Sequence, residues 1–282
     1  MRHATGAGVA AGLALAALLA LPAAAAESTL ELKAGGYPVP YLSVPIDASM
    51  PGPAIDVGAG DFTVELFLRA SPGANTVEAC DLTPQWHLGS VLIDRSRAAD
   101  QGRRGFGLAL SRDRLVFGVT GPDGEHASVC GSRRIADGAW HHVAAQRRAA
   151  DGRITIWVDG ALDASATGPS GDVSYPDGAT YPFGCNCSQD PYLFIGAKEH
   201  HSAPSFVGRV DELRISSALR YAGPFTRPAR AFTPDAKTAA LYHFDEGSGS
   251  VARDATGRLD ATFGTWTATR PCLLYTSPSP RD

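Results

Sequence analysis

Apolar and polar residues alternate in short runs along most of this chain. The run DFTVELFLR at 61–69 has the two-residue period of a half-buried strand. So do stretches at 105–110, 114–120, 140–147, 153–159 and 161–166, and 192–196 and 206–215 add two more strands. Asp151-Gly152 and Asp159-Gly160 each divide two such runs, and these pairs supply the positive φ that a tight hairpin turn demands. Beyond the first 26 residues no stretch keeps a helical period with caps at its ends. Many short antiparallel strands in one chain predict an all-β, two-sheet antiparallel jelly-roll sandwich.

Alternation also assigns faces. Ile154, Ile156 and Val158 share one side of their run and are expected to meet the opposite sheet, which turns Thr155 and Trp157 outward. Trp157 then either stacks on a sugar ring or packs beneath a neighbouring loop. The doublet His141-His142 raises the question of a metal site. His141 goes with Val143 and Ala145, whereas His142 goes with Trp140 and Ala144, so the two rings point to opposite faces and read as framework. Asp211 shares its face with Leu213 and Ile215. If that face is the core, its carboxylate is buried and requires a partner.

The ends of the chain set the domain limits. Residues 1–26 have a basic start, an Ala/Leu run and a small-x-small site at Ala24-Ala25-Ala26. This is the pattern of a secretory signal peptide; a spanning helix needs roughly 20 apolar residues. Residues 272–282, CLLYTSPSPRD, resemble the read-through translation of a sequencing adapter and are set aside as non-native. Residues 27–271 remain as one domain, and the natural chain is expected to continue past Pro271. An exported chain favours disulfides. Cys80, Cys130, Cys185 and Cys187 allow three pairings, of which Cys80 with Cys130 is preferred. Cys185 and Cys187 then form a tight or mixed pair. A zinc set with His200 and His201 is the rival, although its spacing fits no common structural pattern. The chain carries 25 Lys+Arg against 29 Asp+Glu and no long basic run, which argues against nucleic acid and against electrostatic attachment to anionic lipid.

Five blocks, in order, resemble a known family. They are DFTVELFLR, GFGLALSRDRLVFGV, DGAWHHVAAQRR with GRITIWVDG, FVGRVDELRISSALRY, and FTPDAKTAALYHFDEGSGSVARDATG. Together they are similar to laminin-G-like domains of the concanavalin A-like lectin/glucanase superfamily. The resemblance implies a jelly roll, often with a structural calcium ion. Asp211 would be one ligand, with Glu246 and Asp254 supplied by the acidic Gly/Ser loop, since calcium takes about six to eight oxygens. The competing reading satisfies Asp211 with backbone amides or an arginine. DEGSGSVARDATG reads as the closing segment of this domain rather than the opening of a second copy.

Catalysis is not indicated. Glucanase members carry Glu-x-Asp-x-x-Glu on one strand, and no such run occurs here. Asp211 and Glu212 are adjacent and would point to opposite faces. Gly247-Ser248-Gly249-Ser250 lacks the strand-to-helix setting of a nucleophile elbow, and no phosphate-loop or dinucleotide motif is present. Trp157, Tyr192, Trp86, His200 and His201 are the candidate ligand contacts, and His243, between Tyr242 and Phe244, reads as structural. The expectation is a secreted, non-catalytic binding module for a glycan or an extracellular protein, without membrane insertion. The alternatives are an accessory carbohydrate-binding domain of a longer carbohydrate-active enzyme, and a cell-surface adhesion or structural protein. Oligomeric state is not specified by any of these features.

Overall fold

The alternating runs are strands in the computed structural model, which describes residues 1, 28–33, 39–46, 55–81, 83–96, 104–174, 192–198, 204–229, 231–264 and 275–276. In chain order the first strands are β1 (Thr29–Leu32), β2 (Tyr41–Pro45), β3 (Phe62–Arg69), β4 (Ser90–Ser96), β5 (Gly105–Ser111), β6 (Arg114–Thr120), β7 (His126–Cys130) and β8 (His141–Arg147). They are followed by β9 (Arg153–Val158), β10 (Ala161–Thr167), β11 (Tyr192–Ile195), β12 (Gly208–Ser216), β13 (Thr238–Tyr242), β14 (Val251–Ala252), β15 (Ala261–Gly264) and β16 (Tyr275–Thr276). One sheet runs β10-β9-β8-β3-β12-β1-β16, with β13 pairing β12 beyond β1. The other runs β14-β15-β2-β11-β4-β5-β6-β7. The strand pairs are antiparallel, and the two sheets form the sandwich that alternation predicts.

The core lies between the sheets. Phe62, Val64, Leu66 and Leu68 of β3 join Val143, Ala145, Ile154, Ile156 and Val158 in one apolar cluster with Phe106, Leu108, Phe117 and Val119 of the other sheet. The Phe62 and Phe106 rings meet with centroids 4.6 Å apart, linking the two layers. Each large apolar side chain buried here contributes about 1.5–3 kcal/mol. The turn between β9 and β10 has Asp159 at φ +48° and Gly160 at φ +83°, the left-handed pair that its Asp-Gly sequence calls for. His142 pairs with Phe67 and His141 with Leu68, so the doublet does divide between faces.

One face assignment is corrected. Pairing between β12 and β3 slips between Asp211 and Arg214, and Glu212 there takes φ +52°. This bulge inserts a residue and reverses the parity. Val210 enters the core with Leu213 and Ile215, while Asp211 lies opposite Phe67 on the outer face. Asp211 therefore does not share a face with Leu213. Nor are Asp211 and Glu212 split between faces, because the Glu212 carboxylate accepts from the Phe232 amide at 2.7 Å in the outer layer.

Candidate functional site

The segment between β12 and β13 folds over the outer face of its sheet and covers a buried polar cluster. Register brings Glu65 on β3 opposite Arg214 on β12, and His142 sits on the next strand. Glu65 Oε2 lies 3.1 Å from His142 Nε2, and Glu65 Oε1 accepts from Arg214 Nε at 2.8 Å. The Tyr221 hydroxyl donates to Glu65 Oε2 at 2.6 Å. Glu65 and His142 are both fully buried. Burial raises the Glu65 carboxyl, but the His142 hydrogen bond and the Arg214 charge outweigh it and hold it below the ordinary carboxylate value. Burial, with the Glu65 charge beside it, pushes the Tyr221 phenol far above its usual range. Phe67, Tyr221, Phe225 and Phe232 surround the His142 ring at 5.2–6.0 Å.

Gln146 fastens the cover. Its Oε1 accepts from the amides of Arg220 and Tyr221 at 2.8 and 2.9 Å, and its Nε2 donates to the Tyr221 carbonyl at 2.9 Å. The Tyr221 ring stacks on Phe225 with centroids 3.5 Å apart. At the start of β8, His141 Nδ1 lies 2.7 Å from Asp159 on the β9–β10 turn, and its Nε2 lies 3.1 Å from Asp137. The Asp159 hydrogen bond, opposed by burial and helped by Asp137, raises the imidazole above its ordinary value.

Beside the cover lies a groove of about 400 Å³ along the outer face of β8, β9 and β10. Leu162 and Leu219 stand on its rim, 45% and 36% exposed, and the clamped Tyr221 forms one wall. Arg148 and Arg153 mark the other end; Arg148 is held by Asp151 at 2.9 Å. Trp157 faces outward, as alternation predicts, but is only 5% exposed. Its indole donates to Thr155 at 3.2 Å and lies 5.9 Å from the Phe225 ring. Trp157 thus supports the groove from beneath rather than offering an open stacking face. Among the described residues the lining has no Asp, Glu, His or Cys. The groove offers apolar contact and guanidinium donors.

The other expected site residues are scattered. Trp86 is 4% exposed and covers the paired glycines Gly107 and Gly118 on the outer face of the second sheet. A Cβ at either glycine would collide with the indole, so Trp86 is a packing residue and not a ligand contact. It adjoins the Cys80–Cys130 disulfide, which forms with Cα atoms 6.0 Å apart and is the pairing preferred from sequence. Tyr192 is half-buried on β11, 5.9 Å from Phe194. Cys185, Cys187, His200 and His201 lie outside the described residues.

Among the carboxylates expected around calcium, Asp254 organises its own loop. Its Oδ1 accepts from Leu241 and Thr256 amides, each at 3.0 Å, and its Oδ2 accepts from Arg258 and Leu259 amides at 3.2 and 3.1 Å. Glu246 accepts from the Arg253 amide at 2.6 Å, and Asp211 from the Glu212 amide at 3.0 Å. Among the described residues no group of three or more His, Cys, Asp or Glu gathers as a metal site. These three residues do not fit a calcium shell, because they do not converge and the Asp254 lone pairs are already engaged. His243 is structural, 2.7 Å from Glu212.

The polar cluster of Glu65, Arg214, Tyr221 and Gln146 was not picked out from sequence. One signal was available: Phe67 sits in the outward stripe of DFTVELFLR, and an aromatic residue there calls for a cover.

A family model described as the concanavalin A-like lectin/glucanases superfamily, Laminin_G_3, matches residues 47–222. No curated protein matches the chain. Among solved structures, a candidate carbohydrate-binding protein from Bacteroides ovatus is similar at 17% identity and a TM-score of 0.53, over 88% of this chain and 60% of its own. The chain thus spans less than two thirds of that protein. Mouse laminin alpha1 domains LG4-5 give 20% identity and a TM-score of 0.42, over 75% of this chain and 48% of theirs. The CBM40 of a Ruminococcus gnavus sialidase gives 12% and 0.44, over 69% of this chain and 92% of its own. The Bacteroides likeness shows a shared fold.

Proposed function

The chain belongs to the laminin G group of the concanavalin A-like lectin/glucanases superfamily, and from that premise we propose that it is a secreted, non-catalytic module that binds a saccharide in the groove beside Tyr221. The observation that carries this reading is the prebuilt wall. Gln146 and Glu65 hold Tyr221 before any ligand arrives, so little ordering remains to oppose binding. Exposed Leu162 and Leu219 offer apolar contact, and the guanidinium of Arg153 offers donors to hydroxyls. The carbohydrate-binding name of the Bacteroides ovatus relative supports a saccharide by analogy of fold alone. Calcium forms no part of this proposal.

A glycan array tests it with the wild type and with Leu162→Arg and Leu219→Asp, two exposed positions whose change leaves the core intact. The expected result is a saccharide retained by the wild type and weakened about tenfold or more in both variants, a loss of roughly 1.4 kcal/mol. Retention without any saccharide of an extracellular protein partner, lost in the same variants, would instead establish the adhesion reading. Secretion is tested separately by the N-terminus of exported protein, expected at Glu27.

A further inference from the structure

We propose a second site on the same outer face, at the other end of β3: a cavity that takes one acidic group, carboxylate or sulfate, of a charged saccharide. Arg209 on β12 lies directly opposite Arg69 on β3 and, on its other side, opposite Glu31 on β1. Like charges directly across an antiparallel pair repel. Glu31 lies 3.8 Å from Arg209 but is shared with Lys33 at 3.2 Å. Arg69 has no carboxylate partner among the described residues. Three cations and one carboxylate therefore line a cavity of about 460 Å³. Its walls are fixed. The buried Asn75 amide clasps Val207 in both directions, each bond 2.9 Å. Gly208 lets two backbones close up, since a Cβ there would sit 2.5 Å from the Arg69 carbonyl and 2.6 Å from the Phe206 ring. Two half-buried arginines paired across adjacent strands suit an oxyanion that accepts from both and removes their repulsion.

The test is titration calorimetry of the whole chain with a hyaluronan tetrasaccharide (carboxylate only), a heparin tetrasaccharide (sulfate and carboxylate) and cellotetraose as the neutral control. Arg69→Ala and Arg209→Ala are compared with Arg253→Ala, an exposed arginine elsewhere, 73% accessible. At least one acidic oligosaccharide is expected to bind the wild type, about tenfold or more weaker in the first two variants and unchanged in the third. Hyaluronan binding assigns a carboxylate; heparin binding alone assigns a sulfate. The Arg69→Ala chain is expected to melt no lower than the wild type, because a repulsion has been removed. Absence of binding to both acidic probes, or equal loss in all three variants, overturns the site. So does a loss caused by Leu162→Arg but not by Arg69→Ala, which would send the acidic group to the groove.

Discussion

Each sheet turns a second face away from the core, and the two faces are covered by opposite means. On the second sheet Trp86 packs on Gly107, Gly118, Ala109 and Val116, and a disulfide closes the layer. That cover is apolar and held by a covalent bond. On the first sheet the cover is fastened by Glu65, His142, Arg214, Gln146 and Tyr221, with aromatic rings between them. That cover is held by hydrogen bonds and charge, and the candidate groove lies along its edge. The difference teaches where recognition can be built. An apolar stapled cover leaves few donors or acceptors at its margin, whereas a polar cover fixes Tyr221 as the wall of a cleft.

The largest expected effect comes from breaking the polar cover. Glu65→Ala leaves the buried His142 and the partly covered Arg214 without their carboxylate and is expected to cost about 3–5 kcal/mol in chemical denaturation. Amide exchange at Arg220 and Tyr221 is expected to accelerate; unchanged protection there would show that the cluster does not hold the cover. On the other face, Cys80→Ser with Cys130→Ser opens a link across 50 residues and is expected to cost roughly 2–4 kcal/mol, with Tyr221 protection unaffected.

Acid separates the faces next. The Glu65 carboxyl is depressed in the folded chain, so its contribution is complete above its unfolded value near 4.5 and is lost as pH falls through its lower folded value. Exchange in the first cover is expected to rise below about pH 4.5 while the apolar cover over Gly107 and Gly118 stays protected. Equal loosening of both would contradict the contrast. The smallest effect is at His141. Its raised value makes its contribution complete below about pH 6.5 and lost as pH rises through the folded value. His141→Asn is expected to cost on the order of 1 kcal/mol at pH 6 and less at pH 9, read from denaturation midpoints.

Strands β3, β5, β6 and β8 to β12, the sandwich and the split of the histidine doublet were legible because alternation is a local property: each side chain's face follows from its neighbours two positions away. The same rule misplaced Asp211, since one bulged residue, Glu212, reverses parity without leaving a mark in the pattern. Trp86, in or beside a loop, was placed among the ligand contacts, because nothing local shows that Gly107 and Gly118 pair across two strands to make a bed for an indole.

By itself, then, the amino-acid order determined a two-layer β fold and its inward stripes, both consequences of period, while the Cys80–Cys130 pairing was one preferred choice of three until the structure closed it. Only the tertiary structure decided which outward residues are covered. Glu65, Arg214 and Tyr221 stand 149 and 156 positions apart in pairs with Glu65. Strand register and the return of one loop bring them together, and the energy of a buried charge depends on that company rather than on its own neighbourhood in the chain.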